Sequence, residues 1–313
     1  MARAFVFPGQ GSQAVGMGRA LYDAFGAARA VYGEVDDALG QRLSRIIFDG
    51  PADDLTLTEN AQPALMATSL AAARVIESEG GARLADLAAF VAGHSLGEYS
   101  ALAAAGAMTL ADTARLLKRR GLAMQRAVPV GEGAMTVLLG LDLETARAIA
   151  EEAGAGAVCN VANDNADGQV VLSGAAAAIE RAMDLAKERG AKRALPLSVS
   201  APFHCALLAP AAEEMAEALS EIDIAPPRPP LVTNVGAAAT DRPSAIRDHL
   251  VAQVTATVRW RESVLYMKRN GVDTLVELGA GKVLGNLARR IDGDLVGVSL
   301  QTPDDIETFL KTV

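Results

Sequence analysis

Hydrophobic residues along this chain follow two periodicities, and their alternation predicts an α/β fold. Short apolar runs such as residues 4–7 and 273–278 are typical of buried strands. The stretches that follow them repeat apolar residues at the spacing of a helix. Strands that alternate with helices form a mostly parallel sheet covered by helices. We therefore expect a large α/β domain built on such a sheet.

The pattern changes between residues 129 and 198, where strands and helices are predicted in the order β-α-β-β-α-β. This order is typical of a ferredoxin-like domain. We expect residues 129–198 to form a small inserted domain, and residues 1–128 and 199–313 to form the large one. Between the two middle strands of the insert, residues 160–168 are rich in Asn and Asp. These residues favour turns, so we expect a turn there rather than a part of a cleft.

Composition and charge exclude several classes of protein. The 313 residues are half hydrophobic and carry a net charge of −9, which argues against nucleic-acid binding. No apolar run is long enough for a membrane span, and the first apolar segment ends at Pro8, so we expect a cytoplasmic protein. Two cysteines, Cys159 and Cys205, form no disulfide framework and no metal-ligand spacing. We expect no metal site.

The clearest candidate for chemistry is the stretch Gly93-His94-Ser95-Leu96-Gly97. A strand predicted over 87–92 precedes it and a helix follows from Leu96, so Ser95 lies on a strand-to-helix turn. The two glycines permit the sharp turn of a G-x-S-x-G nucleophile elbow. Such a turn exposes the serine hydroxyl and directs the amide of Leu96 toward a developing oxyanion. The alternative is a tight turn that contains a serine by chance.

A second glycine-rich turn, Pro8-Gly9-Gln10-Gly11-Ser12-Gln13, follows the first predicted strand. It loosely fits a dinucleotide-binding loop, but the second strand that would carry an acidic residue about 20 positions later is missing. Residues around Asp36 repeat helically instead. The other interpretation is that the turn offers backbone amides to a reaction centre, with Gln10 best placed.

A serine nucleophile needs a base, and the chain has three histidines. His94 adjoins Ser95 and should point elsewhere, and His249 lies within a helical pattern that needs no functional explanation. His204 lies on a loop where the two domains meet, which favours it as the base. No acidic residue follows in an obvious triad position, so a backbone carbonyl or an amide is expected to orient the histidine.

Arg120 is the one basic residue within the apolar stripe of a helix predicted from Thr109. The other basic residues of that helix lie on the opposite face. An arginine that faces a core is costly unless an anion meets it, and guanidinium suits a carboxylate. A structural salt bridge and a bound substrate carboxylate both satisfy this requirement.

Together these motifs resemble the malonyl-CoA:acyl carrier protein transacylase family over essentially the whole chain. The residues that carry the resemblance are Pro8 to Gln13, Gly93 to Tyr99, Arg120, Phe203-His204 and Gln253. The resemblance implies an α/β-hydrolase-like large domain. One departure is Ala280, where the family usually has proline, and it lies away from the inferred chemistry.

The resemblance also implies a role for each matching residue. Ser95 is expected to be acylated and His204 to be its base, with the amides of Gln10 and Leu96 as the oxyanion hole. Arg120 is expected to grip the malonyl carboxylate. By the same resemblance, the backbone carbonyl at Gln253 orients the histidine, and Leu96 and Phe203 belong to a malonyl-selecting pocket.

The implied reaction is ping-pong transfer of malonyl from malonyl-CoA to the phosphopantetheine thiol of an acyl carrier protein. A coenzyme A thioester is then a substrate, no cofactor is bound, and a monomer is expected. The carrier is expected to serve fatty-acid synthesis, with polyketide synthesis or malonate decarboxylation as alternatives. A serine hydrolase or thioesterase on a related scaffold, and an inactive protein that binds a carrier, are the rival hypotheses.

Overall fold

The computed structural model describes residues 2–313, and it contains two β-sheets surrounded by helices. The strands are β1 Ala2–Phe7, β2 Phe90–Gly93, β3 Gly133–Leu139, β4 Cys159–Ala166, β5 Gln169–Ala175, β6 Arg193–Pro196, β7 Leu231–Val232, β8 Ala239–Thr240, β9 Val272–Leu278 and β10 Val296–Leu300. The helices are α1 Arg19–Ala24, α2 Gly26–Leu39, α3 Leu43–Asp49, α4 Ala52–Thr56, α5 Thr58–Gly80, α6 Leu84–Leu87, α7 Gly97–Ala104, α8 Leu110–Ala127, α9 Leu143–Gly154, α10 Ala176–Glu188, α11 Ala209–Ser220, α12 Pro243–Gln253, α13 Trp260–Arg269, α14 Val283–Ile291 and α15 Pro303–Leu310. A short 3-10 helix, Ala206–Leu208, precedes α11.

The larger sheet has the strand order β10-β9-β1-β2-β7-β8, and all its pairs are parallel except β7 with β8. This confirms the predicted α/β fold with a mostly parallel sheet. In the pairing of β1 with β2, Phe7 lies opposite Gly93. The carboxyl ends of these two strands therefore meet at one edge of the sheet. The glycine-rich turn and the candidate elbow emerge there, side by side.

The second sheet is antiparallel and has the strand order β4-β5-β3-β6. All four of its strands come from the segment predicted as β-α-β-β-α-β. Helices α9 and α10 pack on it around a core of its own, which includes Leu138, Ile149, Leu172 and Ile179. The chain thus folds with a separate antiparallel sheet beside the parallel one.

Helix α5 forms the centre of the main core. Most of its side chains between Thr58 and Ile76 are buried, although Pro63 lies in its first turns. Many of these side chains are alanines, which allow neighbouring helices to approach closely. Gly121 of α8 shows how closely, since a Cβ atom there would lie 2.6 Å from the Cα atom of Glu59. Residue Arg120 precedes this contact, so the packing of α5 on α8 fixes its position.

Two strand predictions differ from the structure. The strand predicted over 87–92 begins only at Phe90, because residues 84–87 form α6, where the amide of Leu84 donates to the Glu77 carboxylate. The strand predicted over 231–235 ends at Val232, and the missed strand β8 pairs with it. A turn closes this hairpin through hydrogen bonds between the backbones of Thr233 and residues 237 and 238.

Candidate active site

Ser95 lies on a sharp turn between β2 and α7. Its backbone has a φ of 53°, a left-handed conformation that is rare for residues other than glycine. A Cβ atom on Gly93 would lie 1.9 Å from the backbone of Gly97, and one on Gly97 would lie 2.2 Å from the carbonyl oxygen of Phe7. Only glycine fits at either position. The two glycines therefore permit the turn that lifts the Ser95 side chain above the sheet edge.

His204 is the histidine that the structure places beside Ser95. Its Nε2 atom lies 2.7 Å from Ser95 Oγ, and its Nδ1 atom lies 2.8 Å from the backbone carbonyl oxygen of Gln253. A carbonyl oxygen only accepts, so Nδ1 carries the proton and Nε2 is free to accept one. His249 instead pairs its Nδ1 with Thr233 Oγ1 at 2.9 Å and does not line the cavity around Ser95.

Burial keeps the His204 imidazole neutral. Desolvation and, after it, the positive charge of Arg120 lower the pKa of His204 to about 3, although the hydrogen bond to the Gln253 carbonyl opposes both effects. The ring is therefore unprotonated at neutral pH and can take the Ser95 proton. His204 also has a left-handed φ of 59°, so both members of the pair have strained backbones.

Arg120 is 1% exposed, and its guanidinium is held by uncharged groups. Nη1 donates to Gln62 Oε1 at 2.9 Å, while Nη2 donates to Gln253 Oε1 at 2.8 Å and to Ser95 Oγ at 3.1 Å. Within residues 2–313, no carboxylate oxygen lies within 4.0 Å of this guanidinium. The structure therefore provides no direct salt bridge of the kind that sequence reasoning left open.

Arg120 also lies against the ring of Tyr99, with the guanidinium carbon 5.6 Å from the ring centroid. Desolvation lowers the pKa of Arg120, but the ordinary value is so high that the side chain stays charged. The result is a buried positive charge beside the serine hydroxyl.

These side chains line one cavity of about 240 Å³. The residues predicted from the sequence that line it are Gln10, Ser95, Leu96, Arg120, Phe203 and His204. Gln253 lies just outside, in contact with Arg120 and His204. A larger, more open groove of about 820 Å³ near Arg147 and Thr257 contains none of the predicted residues. The enclosed cavity is the candidate active site.

The segment 160–168 corrects one prediction. Residues up to Ala166 belong to β4 rather than to a turn, and irregular pairing with β5 bends the strand at two places. Asn163 lines the cavity, and Asn165 Oδ1 lies 2.9 Å from His94 Nε2. Asn and Asp are uncommon in strands, so the sequence pattern gave no signal that the strand continues here and lines the cavity. The small sheet therefore contributes one wall of the site.

Sequence reasoning also missed three polar residues that hold the site together. Gln62 binds Arg120, Asn234 Oδ1 accepts the Ser95 backbone amide at 2.8 Å, and Glu98 accepts hydrogen bonds from Asn234 and Gln253. Each lies within a predicted strand or helix, or at its end, where a polar residue that faces the core is the one signal that could have singled it out.

Within residues 2–313, no group of three or more His, Cys, Asp or Glu side chains is arranged to hold a metal ion. In the same range, no helix has both the length and the apolar character that crossing a bilayer requires.

The fold and the site are those of an acyl transferase. The sequence model of the acyl transferase domain matches residues 4–290. Malonyl CoA-acyl carrier protein transacylase of Bacillus subtilis (strain 168) is 43% identical, over 99% of this chain and 96% of the relative. The chain therefore belongs to the malonyl-CoA:acyl carrier protein transacylase family, as the sequence motifs indicated.

Solved structures agree with this assignment. An acyl-carrier-protein-S-malonyltransferase from Bartonella henselae is 53% identical, covers 100% of this chain and 99% of its own, and superposes with a TM-score of 0.97. A malonyl-transacylase solved in complex with its type II PKS acyl-carrier protein is 42% identical, with full coverage of both chains and a TM-score of 0.97.

Proposed function

We propose that this enzyme transfers a malonyl group from coenzyme A to the phosphopantetheine thiol of an acyl carrier protein, for fatty-acid or polyketide synthesis. Relatives named as malonyl transacylases, similar over nearly their whole length, support this function. One observation of the chain itself carries it furthest. Arg120 places a buried positive charge, which has no carboxylate partner within residues 2–313, at 3.1 Å from the hydroxyl of Ser95. A serine enzyme that only needed to bind uncharged acyl groups would gain nothing from that charge.

In the first half-reaction, Ser95 Oγ attacks the thioester carbonyl carbon of malonyl-CoA while His204 Nε2 takes the serine proton. The backbone amides of Gln10 and Leu96 stabilise the oxyanion that forms. When the intermediate collapses, the carbon–sulfur bond breaks and His204 returns the proton to the departing thiol of coenzyme A. The product is malonyl-Ser95.

The second half-reaction reverses these steps with a different thiol. His204 takes the proton of the carrier's thiol, the sulfur attacks the malonyl-Ser95 ester, and the proton returns to Ser95 Oγ. The Gln253 carbonyl keeps the proton on Nδ1 of His204, so Nε2 faces the serine throughout.

Selection of malonyl follows from charge and shape. Arg120 binds the terminal carboxylate in a bidentate, charge-assisted contact. To make this contact, Nη2 gives up its present hydrogen bond to Ser95 Oγ and donates to a carboxylate oxygen instead. Phe203 borders the same cavity and limits the room beside the acyl chain. An acetyl group leaves the guanidinium buried and unpaired, which makes acetyl-CoA a poor substrate.

The remaining properties belong to the same proposal. Malonyl-CoA and the acyl carrier protein are the partners, no bound cofactor or metal takes part, and the enzyme acts as a cytoplasmic monomer. Residues 1–128 and 199–313 form an α/β-hydrolase-like catalytic domain, and residues 129–198 form a ferredoxin-like domain inserted into it. The order β4-β5-β3-β6 of the small sheet supports the ferredoxin-like description.

The test follows each half-reaction separately. Wild-type protein is mixed with malonyl-CoA alone, and mass spectrometry of its peptides locates the malonyl group, which we expect on Ser95. Purified carrier proteins from fatty-acid and polyketide systems are then added in parallel, and malonyl-carrier is measured against free malonate. Transfer to a carrier supports the proposal and identifies the pathway. Release of free malonate as the main product would instead establish a hydrolase.

A further inference from the structure

Glu98 is a buried carboxyl group that the reaction steps above do not use. It lies in the first turn of α7, three residues after Ser95, and is 0% exposed. Its Oε2 atom accepts hydrogen bonds from the Asn234 backbone amide at 3.0 Å and from Gln253 Nε2 at 2.8 Å. Its Oε1 atom has no hydrogen-bond partner within residues 2–313. A buried carboxyl group that is only half satisfied is destabilising, so its presence calls for a functional explanation.

The contact with Gln253 fixes which way the side-chain amide points. The Oε2 atom accepts the Asn234 amide and remains an acceptor whether the group is ionised or carries a proton on Oε1, so the amide NH₂ must face Glu98 and the amide oxygen must face the opposite side. On that side, Gln253 Oε1 accepts from Arg120 Nη2 at 2.8 Å. If the amide turned over, its NH₂ group would face the guanidinium, and two donors would oppose each other. The Ser95 carbonyl oxygen also accepts from Gln253 Nε2, at 3.1 Å, but the Glu98 contact is the shorter of the two. Glu98 thus helps to fix the amide orientation in which Gln253 holds Arg120.

The Gln253 amide also separates the Glu98 carboxyl group from the Arg120 guanidinium. A carboxylate in direct contact with Arg120 would fix the guanidinium but would compete with the carboxylate of a substrate. In the observed chain of contacts, Glu98 binds the amide and the amide binds Arg120, so the guanidinium is held in place without an ion pair. Its remaining N–H groups stay available to a ligand.

The contact with Asn234 acts on the nucleophile itself. Glu98 holds the backbone of Asn234, whose side chain accepts the Ser95 amide at 2.8 Å and donates to the Gly93 carbonyl at 2.7 Å. These bonds brace the strained turn where it enters Ser95, at the Gly93 carbonyl and the Ser95 amide. One carboxylate oxygen thus supports both the elbow and the arginine.

We propose that Glu98 is a positioning residue for malonyl selection: its Oε2 atom orients the Gln253 amide and the Asn234 loop, and thereby aims Arg120 at the substrate carboxylate. This inference rests on the proposed function of Arg120. The essential property is an acceptor oxygen at this point, rather than the negative charge. The alternative is that Glu98 acts only as a buried counter-charge to Arg120.

Two substitutions separate these roles because each conserves a different property. Glu98→Gln keeps the chain length and one acceptor oxygen, which can receive both donors, while its NH₂ occupies the place of the unpartnered Oε1. Glu98→Asp keeps the charge but withdraws the oxygens by one methylene. We expect E98Q to keep the wild-type ratio of malonyl to acetyl transfer within about threefold. We expect E98D to lower that ratio about tenfold or more, since a displacement of about 1 Å in an active site costs about 100-fold in rate.

Glu277 provides a matched control. Glu277 is also 0% exposed, but it lies in β9, outside the candidate active site. Its carboxylate accepts hydrogen bonds from the backbone amides of Leu284 and Gly285 in α14, at 3.1 and 2.9 Å. E277Q and E277D should change thermal stability without changing the malonyl-to-acetyl ratio. They show what the loss of a buried glutamate does by itself.

The measurements are kcat/KM for Ser95 acylation by malonyl-CoA and by acetyl-CoA in all five proteins. A wild-type protein with no preference for malonyl would overturn the proposed function together with the role of Glu98. A wild-type preference that E98D leaves unchanged would overturn the Glu98 proposal alone. A preference that E98Q loses and E98D keeps would show that the charge is what matters, which also contradicts it. If E98D does not fold, Glu98→Ala replaces it, with the same expected loss of the ratio.

Discussion

His204 Nδ1 lies 2.8 Å from the backbone carbonyl oxygen of Gln253, in the place where many serine enzymes have a carboxylate. A carbonyl orients the ring as a carboxylate does, but it brings no negative charge to stabilise an imidazolium. Burial and Arg120 both disfavour that cation as well. The base therefore acts through its position, and its low affinity for protons keeps it unprotonated over a wide range of pH.

The first prediction concerns that availability. Because the pKa of His204 is lowered to about 3, the imidazole is already neutral at pH 5, and protons compete for it only in much more acidic solution. We expect kcat/KM for acylation by malonyl-CoA to show no histidine inflection between pH 5 and pH 8. The measurement is a pH profile of single-turnover acylation. A fall on the acidic side centred near pH 6.5 would contradict the lowered pKa.

The second prediction tests the identity of the base. His204→Ala removes the group that receives the Ser95 proton, and we expect acylation to fall by about 10³-fold or more with little loss of structure, as for other triad bases. His249→Ala is the matched control, since this half-buried side chain bonds Thr233 instead of Ser95. Circular dichroism verifies folding. Equal losses in the two folded variants would refute the assignment.

The local part of the site could be predicted from the sequence because its cause is local. Gly93 and Gly97 are required by contacts within a few residues of Ser95 and by the neighbouring strand β1, so the pattern itself encodes the turn. Arg120 could be singled out for a similar reason. Its position in an apolar helical stripe follows from periodicity alone, and the structure places it in the core.

The parts that escaped prediction depend on partners far away in the chain. Glu98 meets Gln253 across 155 positions, and His94 meets Asn165 across 71. The hydrophobic periodicity of a sequence reflects local structure only and does not indicate which distant residues form such pairs. The continuation of β4 to Ala166 was predicted as a turn for a related reason, because its Asn and Asp side chains favour turns locally but find partners in distant elements, such as Arg261 of α13 for Asp164. Tertiary contacts override the local preference there.

The third prediction links Glu98 to stability. Burial raises the pKa of Glu98 from its ordinary value of 4.5 to about 7, so the folded protein binds this proton more tightly than the unfolded chain. The stabilisation by the bound proton is complete below pH 4.5 and is lost as the pH rises to about 7. At 1.36 kcal/mol per pKa unit, the loss is on the order of 3 kcal/mol.

Glu98→Gln removes this titration. We expect the free energy of unfolding of the wild type to fall by about 3 kcal/mol relative to E98Q between pH 4.5 and pH 7.5. Urea unfolding of both proteins at several pH values measures the difference, and the other titrating groups cancel in the comparison. A difference that does not change with pH would mean that Glu98 is not protonated in this range.

The fourth prediction concerns the docking of the carrier protein, which is typically acidic in systems of this family. Two basic clusters are candidates. In the first, on α8, Arg115 pairs with Asp112, Lys118 with Glu59, and Arg119 and Arg126 with Glu214. These acids neutralise much of its charge.

The second cluster lies between the end of α10 and the start of β6. Lys187 and Arg189 have acidic partners, but Lys192 and Arg193 are exposed and, within residues 2–313, have no carboxylate within 4.0 Å. We expect Lys192→Glu/Arg193→Glu to raise the KM for the carrier about tenfold at low salt and less at high salt, with acylation by malonyl-CoA unchanged. Arg115→Glu/Arg126→Glu is the matched control, and a larger effect in the control would place docking on α8.

The last prediction decides the role of Arg120. A bidentate contact between its guanidinium and a desolvated malonyl carboxylate is worth about 2–5 kcal/mol, and an acetyl group cannot provide it. Arg120→Ala removes both the stabilisation of malonyl and the penalty for acetyl. We expect kcat/KM for malonyl-CoA to fall by about 10²- to 10³-fold, with acetyl transfer equal or improved.

Arg119→Ala is the control for this experiment, because Arg119 adjoins Arg120 in α8 but pairs with Glu214 and Glu217 at the surface. It should leave both substrates unaffected. Thermal unfolding separates loss of fold from loss of binding in each variant. A purely structural arginine would lower the rates of both acyl groups in parallel and lower the melting temperature. Because the guanidinium is buried beside Ser95 and has no carboxylate partner within residues 2–313, we expect a selective loss of malonyl transfer.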